Sequence, residues 1–400
     1  MILKNAIVVS PENNIKEKLD VRIENGIVSE IAKNIDGLES IDLTGNILVP
    51  AFVEMHCHLR EPGYEEKETI ETGVESAIAG GYGTICPMAN TNPVNDRPVI
   101  LRYIKNKSKK IHIAPICAVT KNLTSEDFTD FATLKAYGAC AFSNDGKPIE
   151  KMNVLKAALN KAKDKDVLII SHAEDSTFSP YENASEYNAV KREIDAVKET
   201  DGWLHFAHIS TKESLSMIKE AKDEGWNITC ETAPHYFSLT KNDIENEEAR
   251  FKMNPPLRST EDKNAVIEAL KNGTIDVIAT DHAPHTTDEK TMEFTKAPMG
   301  IVGFETAFAL GYTNLVLQGH LTLSDLIKKM SVHPSKILNF KDYGTIEVGK
   351  PANIAVIDPK IKWTVRAERF KTKCKISPFE GMLLTGKVIK TIIKDTIYDN

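Results

Sequence analysis

Ile47-Leu48-Val49-Pro50-Ala51-Phe52-Val53-Glu54-Met55-His56-Cys57-His58-Leu59-Arg60 is the stretch that decides how this chain reads. Its first half is an apolar run, which predicts one buried strand. In a strand, residues i and i+2 share a face. His56 and His58 therefore project together from the strand's C-terminal end, and Arg60 continues that line as the chain leaves it. Two imidazoles on one face suit a divalent metal such as zinc. An Arg just beyond them can hold a carboxylate bidentately. Parity turns Cys57 to the opposite face, where it reads as packing. An HxH pair alone is a weak signal, so the rest of the chain has to support it.

Four hundred residues, 41% hydrophobic and 27% charged, fit an ordinary globular protein with room for a large core. The formal charge of −7 and the lack of a dense basic stretch argue against a nucleic-acid partner. Six scattered Cys with no CxxC pair predict reduced, buried thiols in a cytoplasmic protein. The opening MILKNAIVVS does not read as a signal peptide. No apolar run approaches the roughly 18 residues of a membrane span.

Residues 1–48 read as short strands, with Asn25-Gly26 a strong hairpin turn. The stretch from 344 to 400 is β-rich too, so the two termini are expected to build one small β-sandwich domain. Between them, residues 49–343 alternate strand-like and helix-like segments. Strands are predicted near 83–88, 111–119, 139–142, 167–172, 204–209, 228–233 and 276–280, with helices at 151–164, 211–224 and 260–272. Counting the first strand, eight units predict an α/β fold of the (β/α)8 TIM-barrel type. In such a barrel the chemistry sits at the C-terminal ends of the strands.

The unusual polar residues fall at those ends. His56 and His58 close the first strand, Asp145 follows 139–142, His172 ends 167–171, His208 ends 204–207 and Asp281 ends 276–280. Taken singly, His172 could be a core histidine, Asp145 a turn residue and Asp281 a helix cap. His205 competes with His208; parity sends the two to opposite faces, and His208 lies nearer the strand end. Four His and two Asp converging from five strand ends suit two zinc ions bridged by a carboxylate. A carboxylated Lys135 is the other bridge to weigh. Its helical, surface-like context favours Asp145.

Seven stretches, in order, resemble the dihydroorotase family of the amidohydrolase superfamily, in the type whose metals are bridged by Asp. They are His56-Cys57-His58-Leu59-Arg60-Glu61-Pro62-Gly63, Asn90-Thr91-Asn92-Pro93, Phe142-Ser143-Asn144-Asp145-Gly146, Ser171-His172-Ala173-Glu174-Asp175, Ala207-His208-Ile209-Ser210-Thr211-Lys212-Glu213, Lys252-Met253-Asn254-Pro255-Pro256-Leu257-Arg258 and Ala279-Thr280-Asp281-His282-Ala283-Pro284-His285. The resemblance implies that His56, His58 and Asp281 hold one zinc, that His172 and His208 hold a second, and that Asp145 bridges them. It implies that Arg60, Asn90 and His285 bind the substrate's carboxylate side and that Asn254 lines the pocket. Glu54, where the family usually has Asp, departs from the pattern and bears on the support behind the ligands.

The activity implied is the reversible, zinc-dependent cyclisation of N-carbamoyl-L-aspartate to L-dihydroorotate in pyrimidine synthesis. A bridging hydroxide would attack the ring carbonyl, with Asp281 as general base and then general acid. Hydantoinases, dihydropyrimidinases and allantoinases share the metal histidines but do not usually place an Arg two residues after HxH. That makes Arg60 the discriminator. A non-catalytic scaffold for aspartate transcarbamoylase is a remoter alternative, since such relatives have typically lost ligands that this chain keeps. A homo-oligomer, and an association with that enzyme, are compatible with the sequence. The polar stretch 286–299 reads either as a lid that excludes water or as a plain connection.

Overall fold

The computed structural model describes residues 1–400 except Ser125, Glu245 and Glu247. The opening apolar run forms two strands where one was expected. Pro50, which has no N–H for a ladder, ends the strand Ile47–Pro50, and a new strand Phe52–Cys57 begins two residues later.

The first of these belongs to a sheet built from both ends of the chain. It contains β1 (Ile2–Ser10), β2 (Ile15–Glu24), β3 (Ile27–Ala32), β4 (Ser40–Asp42) and β5 (Ile47–Pro50). The Asn25-Gly26 turn joins β2 to β3 with both residues at positive φ, 51° and 75°, as a two-residue hairpin loop requires.

The middle of the chain supplies β6 (Phe52–Cys57), β7 (Tyr82–Pro87), β8 (His112–Ile113), β9 (Phe142–Ser143), β10 (Ile169–Ser171), β11 (Leu204–Phe206), β12 (Ile228–Thr232) and β13 (Val277–Ile278). They pair in parallel, in chain order, as β6-β7-β8 and β9 to β13. Single parallel bridges join the two groups, Cys117 to Phe142 on one side and Cys57 to His282 on the other. Between the strands lie α1 (Ile70–Ala79), α2 (Pro98–Asn106), α3 (Phe131–Tyr137), α4 (Met152–Lys165), α5 (Asn183–Thr200), α6 (Lys212–Asp223), α7 (Pro234–Ser238) and α8 (Thr260–Asn272). This is an α/β fold with parallel strands. The strand expected over 111–119 is regular only at its start, because Pro115 interrupts its ladder.

The terminal sheet is completed by β14 (Asn353–Thr364), β15 (Leu383–Ile393) and β16 (Thr396–Asp399), in the order β16-β15-β14-β5-β1-β2-β3 with β4 on β1. One buried cluster, around Leu3, Val21, Leu48 and Val356, belongs to this sheet. A much larger one packs the helices on the parallel strands. A third collects Met55 of β6, Cys86 of β7, Ile170 of β10 and Val277 of β13. Among the described residues, no helix is long and apolar enough to cross a membrane.

Candidate metal centre

All six expected ligands are brought together at the C-terminal ends of the parallel strands, and all are buried. Asp145 is the central group. Its Oδ1 lies 3.4 Å from His56 Nε2, 3.5 Å from His172 Nδ1 and 3.7 Å from His208 Nε2; its Oδ2 lies 3.5 Å from His58 Nε2. Asp281 Oδ1 stands 3.1 Å from His58 Nε2 and 3.5 Å from His56 Nε2. The donor atoms of His56, His58 and Asp281 all fall within 4.8 Å of one another, and so do those of His56, Asp145 and His208. His172 joins neither group; its Nδ1 is 2.9 Å from His208 Nε2.

The donor set fits divalent ions on a direct observation. His56 Nε2, Asp145 Oδ1 and His208 Nδ1 are buried with no hydrogen-bond partner. Buried polar atoms are nearly always paired; His56 Nε2 and Asp145 Oδ1 face each other unpaired at 3.4 Å, an arrangement that suits a cation. The electrostatics agree. Burial opposes charge on Asp145, yet His56, His172 and His208 outweigh it and hold the carboxyl well below its usual range. Burial opposes charge on His172 as well, yet Asp145 and Glu174 lift it to about 10. The carboxylates here draw positive charge to themselves.

Behind the donors stand residues that aim them. His56 Nδ1 is 2.9 Å from Glu231 Oε1, and the other oxygen of Glu231 is 3.2 Å from His205 Nε2. A carboxylate on the far nitrogen of a ligating His fixes its tautomer and ring plane. Burial would raise the Glu231 carboxyl, but the two histidines bring it to about 2. Asn90 Oδ1 does the same service for His58 Nδ1 at 2.9 Å, and its Nδ2 donates to Asp145 at 3.3 Å. Glu54 accepts from the backbone N–H groups of His56 and Thr280; burial pushes its carboxyl up to about 8. His172 Nε2 meets Glu174 at 2.6 Å, and Asn254 donates to the same carboxylate at 2.7 Å.

Sequence reasoning passed over the roles of Glu231 and Glu174. Glu231 did leave a signal, as a carboxylate inside the otherwise uncharged strand Ile228–Thr232. The parity argument about His205 and His208 fails. β11 ends at Phe206, and His208 has φ 35°, so both rings reach the same network. Cys57 lies in the main apolar cluster. Lys135 is exposed, with its ammonium on the carbonyls of Lys165 and Asp166.

The donors open into a cavity of about 180 Å³, also lined by Arg60, Asn90, Asn254, Met299 and Gly300. Arg60 adopts φ 64° and donates through Nε to Pro284 O at 2.9 Å. It forms no ion pair among the described residues. Gly300, at φ 141°, permits a close approach, since a Cβ there would sit 2.4 Å from Ala283 O. His285 stands one step back. Its Nε2 donates to Met299 O at 2.8 Å, and its Nδ1 faces Lys67 Nζ at 3.2 Å. It touches Arg60, at 3.4 Å, and does not itself line the cavity. The stretch 286–299 is tied down by two lysines: Lys252 Nζ donates to Phe294 O, and Lys290 Nζ to Lys252 O and Pro298 O.

The amidohydrolase family model matches residues 47–398. The chain is 41% identical to a dihydroorotase of Acetivibrio thermocellus, over 99% of this chain and 98% of that one. It is 42% identical to a dihydroorotase of Geobacter metallireducens, over 98% of each. Among solved structures it is similar to an L-hydantoinase (dihydropyrimidinase) from Arthrobacter aurescens, with a TM-score of 0.91 at 26% identity, covering 100% of this chain and 96% of that one. With a family match over most of its length and relatives of this identity, the chain belongs to the dihydroorotase family of the amidohydrolases.

Proposed function

We propose that the chain interconverts N-carbamoyl-L-aspartate and L-dihydroorotate plus water, the ring-closing step of pyrimidine synthesis. Arg60 carries the reading. Its guanidinium stands without a carboxylate partner among the described residues, on the wall of the cavity that holds the His and Asp donors. Dihydroorotate brings a carboxylate to that position, whereas hydantoin and dihydropyrimidine rings do not.

In this reading the cofactor is zinc, two ions per chain. His56, His58 and Asp281 would hold one, His172 and His208 would hold the other, and Asp145 would serve both. When bound, the ions supply Lewis acidity, which polarises the ring carbonyl and makes hydroxide available near neutral pH. The chain's own groups do the rest. Arg60, held by Pro284 O, and Asn90 grip the substrate's carboxylate side, with His285 beside Arg60 completing that end of the site, so that the ring is presented in one orientation. Asn254 and Glu174 fix the neighbouring wall. Burial opposes the charge of Asp281, but His58 and His56 hold its carboxyl below the usual range, so it enters the reaction unprotonated and with an oxygen on which a proton can be placed. Asp281 takes that proton from the nucleophile and passes it to the departing ring nitrogen. In the synthetic direction it deprotonates the carbamoyl nitrogen.

The same proposal covers architecture and setting. β6 to β13, joined by the two single bridges, read as a (β/α)8 barrel over 49–343, and the sheet that 1–48 and 344–400 build together, with β5 reaching Pro50, reads as the composite β domain expected as a sandwich. The six free thiols suit a cytoplasmic location.

Steady-state kinetics on L-dihydroorotate, hydantoin and dihydrouracil test the proposal. Dihydroorotate is expected to be turned over far better than the two uncarboxylated rings. Arg60→Ala is expected to raise KM roughly 10- to 100-fold, from the loss of a charge-assisted contact, with metal content intact. Equal turnover of hydantoin, or metal loss in that variant, would sink the reading.

A further inference from the structure

The cavity at the metal donors is not the roomiest in the molecule. A second one, of about 560 Å³, opens between the end of α1 and the strands β14 and β15. None of the residues lining it belongs to the centre described above. Its size falls within the range of roughly 300–1,000 Å³ typical of small-molecule sites.

Its floor is aromatic and rigid. Phe308 is buried and stacks on Phe52 at 5.6 Å. Trp363 is half-buried, and its indole N–H donates to Gly386 O at 3.1 Å, which holds the ring in place. Its rim is basic, in a chain whose formal charge is −7. Arg366, Arg369, Lys371 and Lys387 all border it. Arg366 is engaged by Glu380 at 3.2 Å, and Lys387 reaches Asn400 O at 3.4 Å. The side chains of Arg369 and Lys371 are exposed and have no hydrogen bond or ion pair among the described residues. The one acidic side chain on the wall, Glu305, is turned to the protein's own donors, Ser76 Oγ and the backbone N–H of Lys371, each at 2.7 Å.

We propose that this cavity is a second ligand site, which takes a small aromatic anion of the nucleoside monophosphate class. The base lies against Trp363, since base–aromatic stacking tolerates any planar ring. The phosphate lies between Arg369 and Lys371, where a guanidinium fork and an ammonium together match its oxygens. An aliphatic anion leaves the aromatic floor uncovered, and a neutral nucleoside leaves the two cations unpaired.

Isothermal titration calorimetry on the full-length, metal-loaded protein, with AMP as the probe, tests the assignment. The expected result is one AMP per chain, with adenosine and ribose 5-phosphate each binding at least about tenfold more weakly. The double variant Arg369→Ala, Lys371→Ala is expected to weaken AMP by at least about tenfold. Its melting temperature and its hydrolysis of dihydroorotate should stay unchanged, because both side chains are exposed and neither borders the metal donors. Absence of binding heat with AMP overturns the proposal. So does AMP binding that the double variant leaves intact, or ribose 5-phosphate binding as tightly as AMP.

Discussion

Two neighbouring tiers of polar residues treat burial in opposite ways. In the tier of candidate metal donors, His56 Nε2 and Asp145 Oδ1 are buried, unpartnered and 3.4 Å apart. In the tier behind it, both oxygens of Glu231 meet histidine nitrogens, and Glu54 accepts from two backbone N–H groups. Leaving a buried polar atom unpaired costs on the order of 1–3 kcal/mol. A fold that pairs Glu231 and Glu54 fully, yet leaves two facing donor atoms unpaired, has reserved those atoms for something it binds. The satisfied tier is the support, and the unsatisfied tier is the site.

The sharpest way to break that comparison is at the donor tier. Asp281→Asn is expected to lower kcat by about 10²–10⁴-fold, the usual worth of a positioned acid–base group. Activity within tenfold of the parent, in a steady-state assay, would remove Asp281 from proton transfer. One tier back, Glu231→Gln keeps the shape but weakens the grip on His56. Metal affinity, read by competition with a chelator, should fall about 10–100-fold while the chain stays folded. Unchanged affinity would mean that Glu231 supports nothing at the centre.

Glu54 offers a smaller test, through pH, in protein stripped of metal. Its folded pKa of about 8 lies above the ordinary 4.5, because burial disfavours the charge. Between those values the unfolded chain releases the proton while the folded chain keeps it. Its contribution to stability is therefore full below about 4.5 and is lost as pH rises towards 8. Glu54→Gln should flatten the decline of melting temperature across that window. An equally steep decline in the variant would show that Glu54 is ionised throughout. Lys135→Ala, far from both tiers by its contacts, should change neither metal content nor activity, since an exposed ion pair contributes little. Metal loss in that variant would revive the carboxylated lysine as the bridge.

Much of this was legible in the sequence where one physical signal dominates. The helices Met152–Lys165, Lys212–Asp223 and Thr260–Asn272 fall within a residue or two of their predicted spans, because their apolar spacing is regular. The six candidate ligands could be collected because each lies at or just beyond the end of an apolar strand. What could not be read depends on tertiary contacts. The helix Asn183–Thr200 buries Glu186 and Glu193 on its packed face, which blurs its apolar period. The left-handed turn at His208 defeats strand parity, and the seat of His285 behind Arg60 depends on Lys67 and Met299, which lie far from it or across a loop. Glu231 was visible as an oddity in its strand, but its partner His56 lies 175 positions away.

The most direct single test is elemental analysis of the purified protein alongside its turnover of L-dihydroorotate. The unsatisfied tier predicts about two divalent ions per chain, with activity lost on their removal and regained on their return. A protein that is fully active when free of metal would contradict the account, because the unpartnered donors would then have no role in the reaction.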